Sequence, residues 1–411
     1  MSKGREVVEY LIVGGGMTAD AAVRGIRSVD PEGGIRVLCA EPHPPYDRPP
    51  LSKGLWKGES EDRIGRDTAD LEVDLRLGTR AVRLETDPLT VVDDGGTRHS
   101  ARKILLATGA RPRRLSGADD GVTYFRTLDD YRRLREGAEA AARIAVVGGG
   151  FIGCEVAASL AGSTDAEIHL FFPEKTPLGG RIPPPFGGHL ARVLEELGIQ
   201  VHAETGIQGV QPAPDAQHRL QAADGASPDG LDLAGTPFDL VVAGLGVEPC
   251  TELADEAGLT VDGGIVVDHG LQTSLPGVWA AGDVTRFPLS LTGRREMLGH
   301  EEHANESGMM AGQAMAGESV HYDPLPYVYS GMGDLTLEVV GLPSPDDEAE
   351  AVPGESPLDP GFARYSRDGR TTGVLIWNRP GRAFKVKRSW GRDGDEAGPR
   401  VEDLRDVILG G

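Results

Sequence analysis

The chain has 411 residues, too many for one hydrophobic core, so two or three domains are expected. Hydrophobic residues at 39% and charged residues at 26% are ordinary for a globular fold. A formal charge of −22 argues against nucleic acid or an anionic membrane as a general partner, and no apolar stretch approaches membrane-spanning length.

In chain order, the apolar run Val7 to Val13 ends in Gly14-Gly15-Gly16 and leads into a helical stretch from Thr18 to Ser28. A second strand-like run, Ile35 to Ala40, closes a β-α-β unit and ends at Glu41. In Gly14-x-Gly16-x-x-Ala19 the missing Cβ atoms let backbone N–H groups approach a pyrophosphate on the positive helix N-terminus. Ala19 permits close helix–strand packing, and Glu41 stands where a ribose diol would be hydrogen-bonded. Lys103 to Ala110 is a buried-strand run ending in a glycine turn, and Arg126 to Arg135 reads as a polar helix with a solvated face.

The β-α-β pattern returns about 130 residues later: Ile144 to Val147, Gly148-x-Gly150-x-x-Gly153, a helix from Phe151 to Ala161, then Ile168 to Phe172. Glu174 ends this second strand. A carboxylate there accepts from both adenosine ribose hydroxyls and repels a 2′-phosphate, which predicts NADH over NADPH. Lys175 beside it could still meet a phosphate, and a plain solvated loop residue is the bland reading of Glu174.

Leu240 to Gly246 and Gly277 to Asp283 are further apolar strands ending in glycines. After Leu325 the pattern changes to short alternating strands at Leu335 to Val340, Phe362 to Tyr365 and Gly373 to Trp377, a separate α+β domain. Within it, Pro343 to Pro360 is acidic, Pro-rich and without periodicity, and reads as a mobile surface insertion. The expected fold class is α/β: two Rossmann-like dinucleotide-binding domains, 1–116 with 248–324 and 117–247, then the α+β domain 325–411 with its insertion 343–360.

Three cysteines, Cys39, Cys154 and Cys250, share no short spacing. A redox dithiol, a zinc site and a disulfide framework all lack support, and a reducing cytoplasm is the expected compartment. Few polar residues precede the first strand, so no signal or transit peptide is expected.

The run Pro45-Tyr46-Asp47-Arg48-Pro49-Pro50-Leu51-Ser52-Lys53 resembles the flavin-contacting segment of FAD-dependent ferredoxin reductases and of apoptosis-inducing factor. So do Ala107-Thr108-Gly109, Gly244-Leu245-Gly246-Val247-Glu248-Pro249 and Val278-Trp279-Ala280-Ala281-Gly282-Asp283. The resemblance runs from Tyr10 to about Gly341 and returns near Gly373 to Asn378. It implies FAD on the first glycine turn and NAD on the second. Thr108, Gly109, Arg111, Gly246 and Gly282 would then lie along the cofactors, Asp283 would bind the ribityl hydroxyl, and Arg48 the pyrophosphate or flavin. Lys53 would lie near flavin N5, where negative charge develops on reduction, and Glu155 would pair with it and face the nicotinamide.

Phe172-Pro173-Glu174-Lys175, and Gly293-Arg294-Arg295 followed by His300-Glu301-Glu302-His303-Ala304, resemble the apoptosis-inducing-factor branch, whose first histidine lies beside the isoalloxazine. His300 is thus a candidate flavin neighbour, with a helix cap as the alternative. His300-x-x-His303 lacks a third ligand, so no metal is expected. Where these families place a tryptophan over the flavin in a Trp-Ser-Asp stretch, this chain reads Tyr329-Ser330-Gly331. Tyr329 can still stack there, but it is the weaker donor and the family's acid is lost, so the electron exit does not carry over with the resemblance.

The implied partner is an electron acceptor such as a ferredoxin or another small redox protein. Arg379, Arg382, Lys385, Lys387, Arg388 and Arg392 form either a docking patch for it or a solvated strand pair. Two other readings stay open: a redox-responsive interaction protein, and a direct reductase or oxidase of a small molecule or dioxygen. Monomer and homodimer are both compatible with the sequence. With no mitochondrial leader read in the chain, an apoptotic role is not carried over.

Overall fold

The computed structural model describes residues 7–115, 121–223, 231–233, 235–390 and 397–410. The expected domain joint at 116/117 and Arg392 lie outside the described residues. The chain forms two compact units. The first comprises Met1–Asp47, Ser60–Arg111 and Glu248–Pro324; the second comprises Arg48–Glu59, Pro112–Val247 and Leu325–Gly411. The segment bearing Arg48, Ser52 and Lys53 therefore packs with the second unit, whereas the sequence reading put it in the first.

The first unit is built on a seven-stranded sheet. Its parallel part runs Asp74–Arg76, Ile35–Leu38, Val7–Val13, Arg98–Leu106 and Val278–Ala280, and an antiparallel meander of Leu89–Asp93 and Ala81–Thr86 extends it. Tyr10 to Val13 and Ile104 to Leu106 are buried without alternation, as both faces of a parallel sheet demand. Val13 pairs with both Leu38 and Leu106, and Leu106 with Ala280, so these strands end at one level.

Helix Met17–Val29 packs on helix Glu301–Ala316 at very short range. A Cβ on Gly25 would stand 2.1 Å from the Met309 carbonyl, and one on Gly312 2.2 Å from the Ala22 carbonyl. Only glycine permits that approach. Met309 and Met310, beside this seam, are half-buried.

The second unit holds a five-stranded parallel sheet in the order Gln200–His202, Glu167–Phe171, Arg143–Val147, Leu240–Ala243, Val122–Tyr124. Val147, Phe171, Phe238 and Val241 lie in its core. An antiparallel sheet follows, ordered Tyr327–Met332, Leu335–Gly341, Arg370–Trp377, Gly361–Arg367, Glu348–Val352.

Two expectations for this region need correction. The acidic Pro343–Pro360 insertion supplies the edge strand Glu348–Val352, paired residue for residue with Gly361–Arg367. Its Glu-Ala-Glu-Ala alternation is a two-residue period, masked by charge on an edge that faces water. The basic stretch after Asn378 is not a strand pair: Ala383–Ser389 is a helix, anchored by buried Ala383 and Val386 against Val340 and Phe362.

Candidate functional site

In the first unit the expected cofactor residues gather at the carboxyl edge of the parallel strands. Gly14 follows Val7–Val13, Glu41 follows Ile35–Leu38, Thr108 and Gly109 follow Arg98–Leu106, and Gly282 and Asp283 follow Val278–Ala280. Gly14 has φ +133°, and a Cβ there would meet the Ala107 carbonyl at 2.1 Å. Gly16, by contrast, caps helix Met17–Val29 without any side-chain hydrogen bond, and a Cβ on it would have no heavy atom within 4 Å. Open space in front of an uncapped helix start fits an anionic pyrophosphate. Ala19 is fully buried behind the turn.

Around this edge, Tyr46 donates to Glu41 Oε2 at 2.7 Å, which holds the carboxylate in place. Thr108 Oγ1 donates to the Cys250 carbonyl at 2.7 Å. Gly282 has φ +77°, and a Cβ there would collide with Thr18 at the start of the glycine-turn helix. Arg111 directs its guanidinium to Glu248, at 2.6 Å, and to Glu252.

His300 is the N-cap of helix Glu301–Ala316, its Nδ1 accepting from the His303 N–H at 3.3 Å. His303 turns inward: Nδ1 is 2.6 Å from the Tyr322 hydroxyl and the ring stacks on Phe287. Burial holds its imidazole below the usual range, against the opposing charge of Asp283. Among the described residues no three metal-binding side chains come together.

The second unit repeats the geometry. Gly148 has φ +113° and abuts the Gly244 carbonyl, a Cβ on Gly153 would stand 1.8 Å from the Gly148 carbonyl, and Gly150 opens helix Phe151–Ala161 uncapped, facing open space. Glu174 and Lys175 are both exposed just beyond Glu167–Phe171. Gly246, at φ +82°, accepts from the Arg113 N–H.

Glu155 lies one turn into this helix and is 2% exposed. Its Oε2 receives Lys53 Nζ at 2.7 Å and the Ser52 hydroxyl at 2.6 Å, and its Oε1 receives the Ser330 hydroxyl at 2.5 Å. A buried carboxylate survives only when charge and hydrogen bonds offset its lost hydration, and here an ammonium and two hydroxyls do so.

The Lys53 segment is itself pinned. Ser159, one turn beyond Glu155, donates to the Ser52 carbonyl, Tyr131 donates to the Leu55 carbonyl, and Arg48 Nη1 donates to the Arg126 carbonyl. Tyr329 is 41% exposed, with Lys53 Nζ 5.6 Å from its ring centroid. Its ring stacks on Tyr327 at 6.3 Å, and Lys387 of the basic helix reaches the Tyr327 ring at 5.2 Å.

Sequence reasoning missed Ser52 and Ser330 as partners of the pair, although both flank residues it singled out. Cys154, in the second glycine turn, is expected from the sequence to pack as a small apolar residue without a partner cysteine, and it does. This thiol is fully buried, which pushes its pKa up, and burial likewise holds Cys39 up to about 12. All three cysteines are free thiols.

Two sheets, each with a glycine turn opening a helix at its carboxyl edge, define a protein of two dinucleotide folds with a charged pair beside the second. The chain belongs to the pyridine nucleotide-disulphide oxidoreductase family, whose model matches residues 8–311. It is 36% identical over 341 residues to the anthranilate 1,2-dioxygenase system ferredoxin–NAD(+) reductase component of Burkholderia cepacia, covering 81% of this chain and 82% of that protein. It is 31% identical over 382 residues to putidaredoxin reductase of Pseudomonas putida, covering 90% and 88%. Among solved structures, the covalent putidaredoxin reductase–putidaredoxin complex superposes with a TM-score of 0.86 at 27% identity over 98% of both chains.

Proposed function

We propose that the first unit holds FAD, that the second holds NADH, and that the protein reduces a small ferredoxin-type iron–sulfur protein. The observation that carries this reading is the Lys53–Glu155 pair, 2.7 Å apart, on the helix opened by the second glycine turn. Bound FAD supplies the change from a two-electron donor to a one-electron acceptor.

The residues supply the rest. Gly16 and Gly150 present uncapped helix starts to the two pyrophosphates, and Glu41 and Glu174 offer carboxylates to the ribose hydroxyls. Gly14, Ala19, Gly148 and Gly153 keep backbone and helix close enough for that approach. Thr108, Gly109, Gly246, Gly282, Asp283 and His300 complete the cofactor edges. Lys53, fixed by Glu155, is the cation that would stabilise negative charge on a reduced flavin. Arg48 and Arg111 are the guanidinium groups this reading assigns to a phosphate.

Tyr329 marks the exit. The ferredoxin is named as acceptor on the strength of the relatives, which are ferredoxin–NAD(+) reductase components, and one of which is solved joined to its ferredoxin. Helix Ala383–Ser389 offers it a landing surface: Phe384 is 67% exposed with Lys385 and Arg388 beside it, and the Arg388 guanidinium lies over the Phe384 ring. A reducing compartment such as the cytoplasm suits three free thiols.

Anaerobic rapid mixing tests the reading. NADH should bleach the flavin absorbance faster than NADPH does, and the reduced protein should then pass electrons to a ferredoxin faster than to dioxygen. Flavin that stays oxidised under NADH refutes the function. Rapid flavin reduction with dioxygen as the preferred acceptor would favour the oxidase reading.

A further inference from the structure

The strand Tyr327–Met332 contributes to the Lys53–Glu155 pair through a residue that carries no charge. Ser330 is 3% exposed and pairs across the sheet with Leu337, in the company of buried Met332. A hydroxyl buried on so apolar a face is costly unless it finds a strong acceptor. The acceptor is Glu155 Oε1 at 2.5 Å; the nearby Met332 sulfur, at 4.0 Å, is a weak one.

The two carboxylate oxygens thereby have separate duties. Oε2 takes both Lys53 and Ser52, which sit next to each other in the chain, while Oε1 is tied to a strand 175 residues away in sequence. Without a partner on Oε1, the carboxylate can rotate about its terminal torsion, a broad and soft one. The Lys53 ammonium then loses a fixed acceptor.

We propose that Ser330 is the positioning residue of the Lys53–Glu155 pair: its hydroxyl locks the orientation of the Glu155 carboxylate and, through it, the place of the Lys53 ammonium. Ser330 acts through Glu155, the acceptor of its hydroxyl. The inference rests on the proposed oxidoreductase reading only for its kinetic consequence. Its structural content concerns side chains that are present with or without cofactor.

The test uses Ser330→Ala and Ser330→Thr in the full-length protein. In Ser330→Ala the limiting rate of flavin reduction at saturating NADH should fall about 10-fold or more, as expected for a hydrogen bond to a charged group, with KM for NADH nearly unchanged. Ser330→Thr keeps the hydroxyl and should recover most of that rate.

The second arm is infrared spectroscopy of the cofactor-free protein, with the Glu155 carboxylate band identified by its loss in Glu155→Gln. That band should move in Ser330→Ala and stay in place in Ser330→Thr. A merely structural serine would lower Tm and leave the band where it is. An unmoved band in Ser330→Ala, or a limiting rate equal to the parent's, overturns the proposal. A parent protein whose flavin ignores NADH defeats the oxidoreductase reading instead, and leaves the infrared arm to decide the role of Ser330.

Discussion

Gly150 and Gly153 lie three residues apart, yet a single added methyl should have opposite consequences at the two positions. At Gly150 the backbone is extended, with φ −79° and ψ −178°, and a Cβ would have no heavy atom within 4 Å. Gly150→Ala should therefore fold normally, losing at most about 1 kcal/mol because alanine is the poorer N-cap. In a unit of this size that is a fall in Tm of about 2–4 °C. On the proposed placement the methyl enters the pyrophosphate's space, and displacing even one charge-assisted backbone hydrogen bond should weaken NADH about 10- to 150-fold.

At Gly153 the added Cβ would stand 1.8 Å from the Gly148 carbonyl, a backbone atom that cannot swing aside. Gly153→Ala must separate helix from turn, at about 1–3 kcal/mol or more. The assay is a pair of measurements on each FAD-loaded variant: Tm, and equilibrium titration with NADH by flavin fluorescence. A Gly150→Ala protein that binds NADH as tightly as the parent would refute the placement of the pyrophosphate. A Gly153→Ala protein that melts with the parent would refute the packing.

Acid should destabilise the second unit through His169. This residue is 2% exposed, its Nδ1 3.0 Å from His202 Nε2, and burial, then the neighbouring His202, push it down from its ordinary 6.5 to about 4. Above pH 6.5 neither folded nor unfolded chain binds a proton there. Between 6.5 and 4 only the unfolded chain does, so about 3 kcal/mol of stability drains away as pH falls through that window. Urea titrations at pH 7.5, 6 and 5 measure the loss, and a midpoint independent of pH would count against it. On helix Ala383–Ser389, Lys385→Glu with Arg388→Glu should slow reduction of an acidic ferredoxin about 10-fold at low salt and flatten its salt dependence, with flavin reduction by NADH unchanged. Equal and salt-insensitive rates would remove this helix as the landing surface.

Much of the architecture is legible because parallel sheets and glycine turns write themselves locally. Tyr10 to Val13 is apolar without alternation, and Gly14 and Gly148 need positive φ, so each β-α-β unit announces its strand, turn and helix within about 30 residues. Glu155 and Lys53 are legible only through resemblance, since nothing local joins residues 102 positions apart. Ser52 and Ser330 carry no signal in the sequence, because a serine's role is set by which acceptor the fold brings to it. The strand Glu348–Val352 was hidden by charge, and the helix Ala383–Ser389 by its short length and the two residues, Ala383 and Val386, that give it an inner face.

The division of the chain bears on how the protein is made. Each unit is assembled from three separate stretches, and each interrupts the other. The glycine seam of helix Met17–Val29 finds its partner only at Glu301–Ala316, and Glu155 finds Ser330 later still. Neither unit can finish folding as a nascent segment leaving the ribosome; the early helix waits with its apolar face uncovered until nearly three quarters of the chain has been synthesised. Such a protein should depend on holding chaperones during translation, and stopping synthesis at residue 300 should yield aggregate, with no free-standing flavin-binding half.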